Sequence, residues 1–298
     1  MDFLQTSIDG LLFGSAYALL ALGFSLIFGI MKRINLAYGS SLLFGGALAV
    51  WLEPFLGGGA LGLLLVTVFG AAVAGIYVER LCFSPHLGKT GTMASMIATF
   101  AIWMQLDEIS SQLLPQRTHG FAGIDIEAIS FAGIILRSDH VLHFWVAVLA
   151  IGALYWTLYR TRFGLLLRAS ADDPEIAYLL GGRVGLLGVA TFAIAGFLGG
   201  TAAFLILSSD GQITPHFGLW STFKGLVAMM LGGVGSLPGA IVGGLLLGFA
   251  EAHVTFYLGA EFRDILTFGL LLLILVLRPG GLMGVDVYRT GRLATERI

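Results

Sequence analysis

The sequence is poor in charge and almost free of cysteine. Only 11% of its 298 residues are Asp, Glu, Lys or Arg, whereas about 25% is usual in soluble domains. So few charges cannot cover a water-exposed surface, and we expect a lipid bilayer to surround most of the chain. The net charge of −2 predicts no attraction for nucleic acid. The single cysteine, Cys82, excludes an intrachain disulfide and is expected to be a small apolar filler.

The sequence also lacks a complete catalytic, nucleotide-binding or metal-binding motif. Residues 57–62 match G-x-G-x-x-G, but they lie between two apolar runs and follow no predicted strand. Residues 88–90 resemble the end of a phosphate-binding loop, but Phe83 stands where its first glycine belongs. The six histidines do not pair at metal-ligand spacing with cysteine or glutamate. We therefore predict no enzyme activity, no metal and no cofactor, and any ATP hydrolysis has to come from a partner.

Hydrophobic residues make up 57% of the sequence and fall into continuous runs, which favours transmembrane helices over the alternating strands of a barrel. The first run, residues 11–30, carries no charge and follows no basic segment, so we expect a retained helix and not a signal peptide. The predicted spans are 11–30, 36–52, 60–78, 92–114, 141–159, 186–207, 220–231, 240–258 and 265–277. Since 220–231 is too short to cross alone, it is a half-helix or part of one broken span, which gives eight or nine spans.

The predicted fold class is therefore all-α, a polytopic transmembrane helical bundle that forms one domain over residues 1–298. With the N-terminus outside, 12 of the 16 Lys and Arg residues fall on the cytoplasmic side, as the positive-inside rule requires. The same arrangement places the C-terminal tail, residues 278–298, in the cytoplasm.

Glycine pairs at four-residue spacing predict close packing of helices inside the bundle. The pairs are Gly10/Gly14, Gly196/Gly200, Gly239/Gly243 and Gly244/Gly248. Residues 34–39 and 213–218 each follow one apolar run and precede another. On the predicted topology the two preceding spans run in opposite directions, which indicates an inverted repeat with broken helices, as in many transporters.

Several ionisable residues lie within apolar runs. Asp107 and Glu108 either form a functional site at membrane depth or touch water near the outer interface, and Glu251 and His253 present the same choice. For Lys224 we predict a side chain that snorkels to an interface, and a position facing a polar pathway is the alternative.

The loop between the fifth and sixth long runs, residues 160–185, is the richest charged stretch. Asp172 or Asp173 can cap a helix, Pro174 suits a first turn, and Gly181 or Gly182 can end it. Ile176, Ala177, Leu179 and Leu180 would give this short cytoplasmic helix an apolar side. Such a helix is typical of a docking element for another protein, although a helix lying on the bilayer is the alternative.

These segments together resemble the branched-chain amino acid permeases of ABC importers. The loop residues Arg168, Ala169, Ala171, Asp172, Ala177 and Gly181 are similar to the family's cytoplasmic coupling segment. Residues 14–23 resemble its first span, and 35–39 resemble its N-F-A-H-G break, with Leu36 and Tyr38 departing. Residues 231–239 and 278–284 resemble its late glycine-rich break and its terminal signature.

The resemblance implies a small-molecule substrate, an inner-membrane location in a bacterium, and a set of partners. They are a homologous second permease, two cytoplasmic ATPase subunits and a periplasmic substrate-binding protein. The residues expected to couple to the ATPases are Arg168, Asp172, Pro174, Glu175, Ala177, Leu180 and Gly181. The residues expected to line the substrate pathway are Asn35, Tyr38, Gly39, Thr214, Pro215 and Phe217.

Two alternatives remain from the sequence. One is an ion-coupled secondary transporter that uses Asp107 and Glu108. The other is a permease of the same architecture that carries urea or amides, because the family resemblance does not fix the substrate. Tyr38, where the family pattern has histidine, bears on this point because it lies at a predicted pathway position.

Overall fold

The computed structural model describes residues 2–56, 59–86, 91–114, 118–121, 129–131, 134–136, 138–278 and 280–284. Within these ranges eleven α-helices form the protein. They are α1 (Asp2–Met31), α2 (Tyr38–Leu56), α3 (Ala60–Val78), α4 (Gly91–Leu113), α5 (Ser138–Arg160), α6 (Arg162–Asp172), α7 (Pro174–Leu179), α8 (Val184–Asp210), α9 (Phe217–Gly232), α10 (Leu237–Tyr257) and α11 (Arg263–Leu277).

Four short strands accompany the helices. β1 (His119–Gly120) pairs antiparallel with β4 (Gln212–Ile213), and β2 (Ile129–Phe131) pairs antiparallel with β3 (Ile134–Leu136). The β1–β4 pair joins the segment after α4 to the break between α8 and α9. The sequence predictions for residues 88–90 and for the tail from residue 285 lie outside the described residues.

Each of the nine predicted apolar segments coincides with a helix, which confirms the prediction of a helical bundle. In the described part of the chain, α1, α3, α5, α8 and α10 are long and apolar enough to cross a membrane. α9 has 16 residues and is a separate short helix. It does not continue into α10, because Gly233 and Gly235 take the left-handed backbone conformation between them, with φ of 124° and 78°.

Glycine allows the central helices to pack at close backbone distance, as the sequence predicted. A Cβ on Gly10 would lie 2.7 Å from Ala252 Cβ, and one on Gly14 would lie 3.1 Å from the Gly244 carbonyl oxygen. These contacts join α1 to α10. In the same way a Cβ on Gly196 would lie 2.7 Å from Ala72 Cα, where α8 meets α3. The backbones approach so closely because glycine has no side chain to separate them.

The helix contacts have the symmetry of an inverted repeat. α1 packs on α10 as α3 packs on α8, and α2 packs on α3 as α9 packs on α10. α1 and α8 run antiparallel, since the end of α1 at Met31 meets Gly188 and the middle of α1 at Gly23 meets Ala195. Exchanging α1–α4 with α8–α11 therefore reproduces these contacts, in agreement with the predicted repeat.

Candidate functional site

The broken helices α2 and α9 begin beside each other in the interior of the bundle. The Gly39 backbone N–H donates to Thr222 Oγ1 at 3.1 Å. Thr222 and Ser221 in turn donate their hydroxyls to the Gly218 carbonyl oxygen at 2.8 and 3.1 Å. A Cβ on Gly39 would overlap that same carbonyl oxygen. The two N-terminal ends thus form a tight junction, which requires glycine at position 39.

The predicted pathway residues of the first break pack around this junction. Asn35 is buried, and its Oδ1 accepts from the Ala37 N–H at 3.0 Å, which shapes the turn before α2. Tyr38 is 2% exposed, and its hydroxyl donates to the Ala195 carbonyl oxygen of α8 at 3.0 Å. Its ring lies edge-on to Phe24 of α1 with centroids 4.5 Å apart. Tyr38 therefore joins three helices of the core.

The predicted residues of the second break lie at the start of α9. Thr214 and Pro215 are half-buried in the turn, and the Phe217 N–H donates to the Thr214 carbonyl oxygen at 3.1 Å. Phe217 is buried and stacks on Trp220 with ring centroids 5.9 Å apart. The structure brings Gly39 close to α9, while Tyr38 faces α1 and α8.

Asp107 lies at the junction, whereas Glu108 does not. Asp107 is half-buried, accepts from the Trp103 indole N–H at 2.7 Å, and its Oδ1 would lie 3.0 Å from a Cβ on Gly218. Glu108 is exposed and accepts from Gln112 at 3.0 Å. Successive residues of a helix point in different directions, so these two carboxylates do not form a shared ion site.

A buried charge cluster, formed by Tyr17, Lys224, Glu251, Arg263 and Thr267, joins α1, α9, α10 and α11. The Lys224 ammonium donates to Glu251 and, at 2.7 Å, to Thr267. Arg263 Nε donates to the second Glu251 oxygen at 2.7 Å, and its Nη2 donates to the Tyr17 hydroxyl at 2.5 Å.

This cluster corrects the sequence prediction for Lys224. Lys224 is 2% exposed and bound on all sides, so it does not snorkel to an interface. The Lys224 ammonium contacts the Glu251 carboxylate, and its Nζ lies 3.2 Å from Asp264 Oδ1. The signal available in the sequence was the presence of Lys224 and Glu251 in consecutive apolar runs. Which residues they contact depends on helix packing and was not predictable from the runs alone.

The predicted short cytoplasmic helix corresponds to α7, and a further helix, α6, precedes it. Thr161 caps α6 by accepting from the Gly164 N–H at 3.0 Å, and α6 ends at Asp172. α7 begins at Pro174 and ends at Leu179. Asp172 is therefore the last residue of α6, so of the two predicted cap positions only Asp173 directly precedes α7, which has Pro174 in its first turn as predicted. Gly181 takes φ of 83°, and the Gly182 N–H donates back to the Ala177 carbonyl oxygen at 2.8 Å, so glycine ends the helix as predicted.

Among the described side chains of α7 and the residue after it, Ala177 is buried and the large apolar side chains are exposed. Ala177 is fully buried against the rest of the protein. Tyr178 is 73% exposed, Leu179 82% and Leu180 58%. Arg168 of α6 lies over the ring of Tyr159, 4.8 Å from its centroid. Exposed apolar side chains of this size, in a charged segment between two spans, are typical of a surface that contacts another protein.

Comparison with known proteins decides the family. Residues 7–275 match the model of the family described as "Branched-chain amino acid transport system / permease component". This chain belongs to that family. The permease is 32% identical over 296 residues to the high-affinity branched-chain amino acid transport system permease protein BraD of Pseudomonas aeruginosa, covering 95% of this chain and 96% of BraD. It is 33% identical over 297 residues to LivH of Escherichia coli, with the same coverage.

Two solved structures show the same fold for the permease. One is the inward-facing structure of a transporter assigned to the metal-chelate ABC type, with a TM-score of 0.54 and 17% identity over 89% of this chain and 84% of the other. The second is PsaBC from Streptococcus pneumoniae in complex with Fab, with a TM-score of 0.52 and 14% identity over 94% and 93%. Together with the apolar helices, these findings establish a multi-pass membrane protein built as a helical permease.

Proposed function

We propose that the permease is the transmembrane subunit of an ABC importer that moves branched-chain or related small amino acids into the cytoplasm. The observation that carries this proposal is the match over 95% of the chain to BraD and LivH, which are named branched-chain amino acid permeases. The proposed partners are a homologous second permease, two cytoplasmic ATPase subunits and a periplasmic substrate-binding protein. The proposed location is a bacterial inner membrane, with the N-terminus outside and the C-terminus in the cytoplasm.

Coupling to the ATPases is assigned to the segment from Arg168 to Gly181. Its exposed apolar side chains, Tyr178, Leu179 and Leu180, offer a surface for a partner, and the buried Ala177 fixes α7 to the permease. α8 begins at Val184, three residues after Gly181. A displacement of α7 would therefore be transmitted directly to α8.

The substrate pathway is assigned to the two helix breaks. α8 contacts Tyr38 through Ala195 and leads into the second break, so a movement of α8 would act on both breaks. Separation of α2 from α9 would expose two helix N-terminal ends, whose N–H groups favour a carboxylate. Asn35, Tyr38, Gly39, Thr214, Pro215 and Phe217 would then line the opening.

The test of coupling uses the complete transporter in proteoliposomes, with ATP hydrolysis and uptake of radiolabelled leucine measured together. Replacing Leu179 and Leu180 with serine removes the apolar contact surface, so we expect uptake to fall while the purified permease keeps its melting temperature. The matched control is Leu165→Ser, which removes an apolar side chain of α6 that is 54% exposed. Wild-type uptake by the double variant would overturn the role of α7.

Two alternatives can be tested by the same preparation. Secondary transport coupled to an ion predicts uptake without ATPase subunits, and the divergence of Asp107 and Glu108 argues against it. A urea or amide permease predicts that these compounds compete with leucine for uptake. Uptake without the ATPases, or transport of amides and not amino acids, would overturn the proposed function.

A further inference from the structure

An open cavity of about 350 Å³, with polar and apolar residues in its lining, lies where the predicted cytoplasmic ends of α1, α5, α6 and α10 meet. Two basic side chains, Lys32 and Arg168, and one acidic side chain, Asp172, line it. Two positive charges against one negative charge leave the lining positive. Ser25 also lines the cavity, is 1% exposed, and its Oγ has no hydrogen-bond partner among the described residues. A buried hydroxyl without a partner indicates a group still to be bound.

An apolar groove of about 250 Å³ continues from this cavity along the helices. Leu158, Tyr159, Leu237 and Pro238 line both spaces, so the two are contiguous. Beyond them the groove is lined by Leu22, Ile151, Leu154, Tyr155 and Ile241. From cavity to groove the lining shifts along α5 from Leu158 to Ile151 and along α10 from Leu237 to Ile241, towards the interior of the bilayer.

The geometry points to a binding site for one phospholipid of the cytoplasmic leaflet, whose anionic headgroup occupies the cavity and whose acyl chain lies in the groove. A positive pocket at the end of transmembrane helices, followed by an apolar trough, matches the two ends of an anionic phospholipid. Lys32 and Arg168 would contact the phosphate, and Ser25 can donate its hydroxyl to it. A soluble metabolite has no acyl chain to occupy the apolar groove.

The backbone of Lys32 supports the assignment. Lys32 has φ of 53°, a left-handed conformation at the end of α1 that glycine or asparagine usually occupies. A lysine in this position is strained and yields no helix-capping benefit that glycine would not give. Contact between its long charged side chain and a headgroup would explain why position 32 is lysine. Arg168 is also held in place, by its contact with the Tyr159 ring that lines both spaces.

Occupancy would connect the lipid to the segment assigned to coupling. Arg168 and Asp172 belong to α6, which leads into α7, while Lys32 belongs to the end of α1. A bound headgroup would hold α6 against α1. The inference goes beyond the proposed function and does not depend on which substrate is carried.

Native mass spectrometry of the full chain, purified in detergent and supplied with phosphatidylglycerol, phosphatidylcholine or soluble glycerol phosphate, tests the proposal. Wild type should retain one phosphatidylglycerol in preference to phosphatidylcholine. Arg168→Gln should weaken retention roughly tenfold, as expected for one lost charge-assisted contact. Arg162→Gln, which removes a charge of the same segment outside the cavity, should leave retention unchanged.

Two further variants separate lipid binding from misfolding and from binding of a soluble anion. Lys32→Gly relieves the left-handed strain, so it should lose lipid while melting no lower than wild type. Ile151→Trp fills the groove and leaves the charges in place, so it should also lose lipid. Equal retention by Arg168→Gln and Arg162→Gln would overturn the proposal. So would unchanged retention in Ile151→Trp together with displacement of the lipid by glycerol phosphate, since the site would then be one for a soluble anion.

Discussion

Lys224 of α9 and Glu251 of α10 form an ion pair in the interior of the bundle, with the two side chains 2% and 3% exposed. Arg263 binds the other oxygen of the same carboxylate at 2.7 Å. Glu251 therefore neutralises two cations that come from different helices. Since charges in an apolar surrounding are costly unless paired, this carboxylate is the group on which the packing of α9, α10 and α11 depends.

Glu251→Gln should destabilise the permease strongly. The change leaves the buried Lys224 and the half-buried Arg263 without their common counter-charge, and loss of one partner of a buried ion pair costs about 3–5 kcal/mol. Thermal unfolding in detergent is the measurement. The control is Glu261→Gln, an exposed carboxylate near the same end of the protein that should leave the transition in place. Equal melting of the two variants would show that the pair contributes nothing to stability.

Gly39→Ala should force α2 and α9 apart. The new methyl group would overlap the Gly218 carbonyl oxygen, and overpacking of a tight site costs about 1–3 kcal/mol. Leucine uptake by the complete transporter and the melting temperature should both fall. Gly152→Ala of α5 is the control, because open space surrounds that position and alanine favours a helix. A Gly39→Ala protein with normal stability and uptake would contradict the junction described here.

Gly248→Leu should disrupt the contact of α1 with α10. A Cβ at position 248 would lie 2.7 Å from the Gly10 carbonyl oxygen, so a large side chain cannot be accommodated without separating the helices. The expected result is a lower melting temperature and a lower yield of folded protein. Gly269→Leu of α11, where nothing lies within 4 Å, should behave like wild type. If both variants have the same melting temperature, the close contact between the backbones of α1 and α10 does not determine stability.

Tyr38→Phe distinguishes a packing role from a pathway role. Removal of the hydroxyl loses its hydrogen bond to the Ala195 carbonyl, which is worth about 0.5–1.5 kcal/mol. Tyr77→Phe is the control, because its hydroxyl bonds to Gln105 at the exposed side of the bundle. If Tyr38 only packs, uptake should change no more than stability does. A large rise in KM for leucine at unchanged stability would show that the hydroxyl contacts substrate.

Local features of the chain were predictable because they depend on neighbouring residues. The nine apolar segments became helices since continuous apolar runs of this length can satisfy their backbone groups in lipid only as helices. Gly181 ended its helix as predicted because glycine accepts the left-handed conformation without strain. The start of α7 at Pro174 was predictable in the same way, since proline disfavours helical backbone in the residue before it, whereas the preceding helix α6 was not predicted.

The sequence by itself determined that lipid surrounds this chain, where its helices lie, and which loop carries the exposed apolar turn. These follow from composition and from interactions within a few residues. Only the tertiary structure decided that Lys224 pairs with Glu251, that Asp107 lies beside Gly218, and that α2 meets α9 through Gly39. These contacts join residues far apart in the chain, so they are fixed by how the helices pack and not by any local pattern.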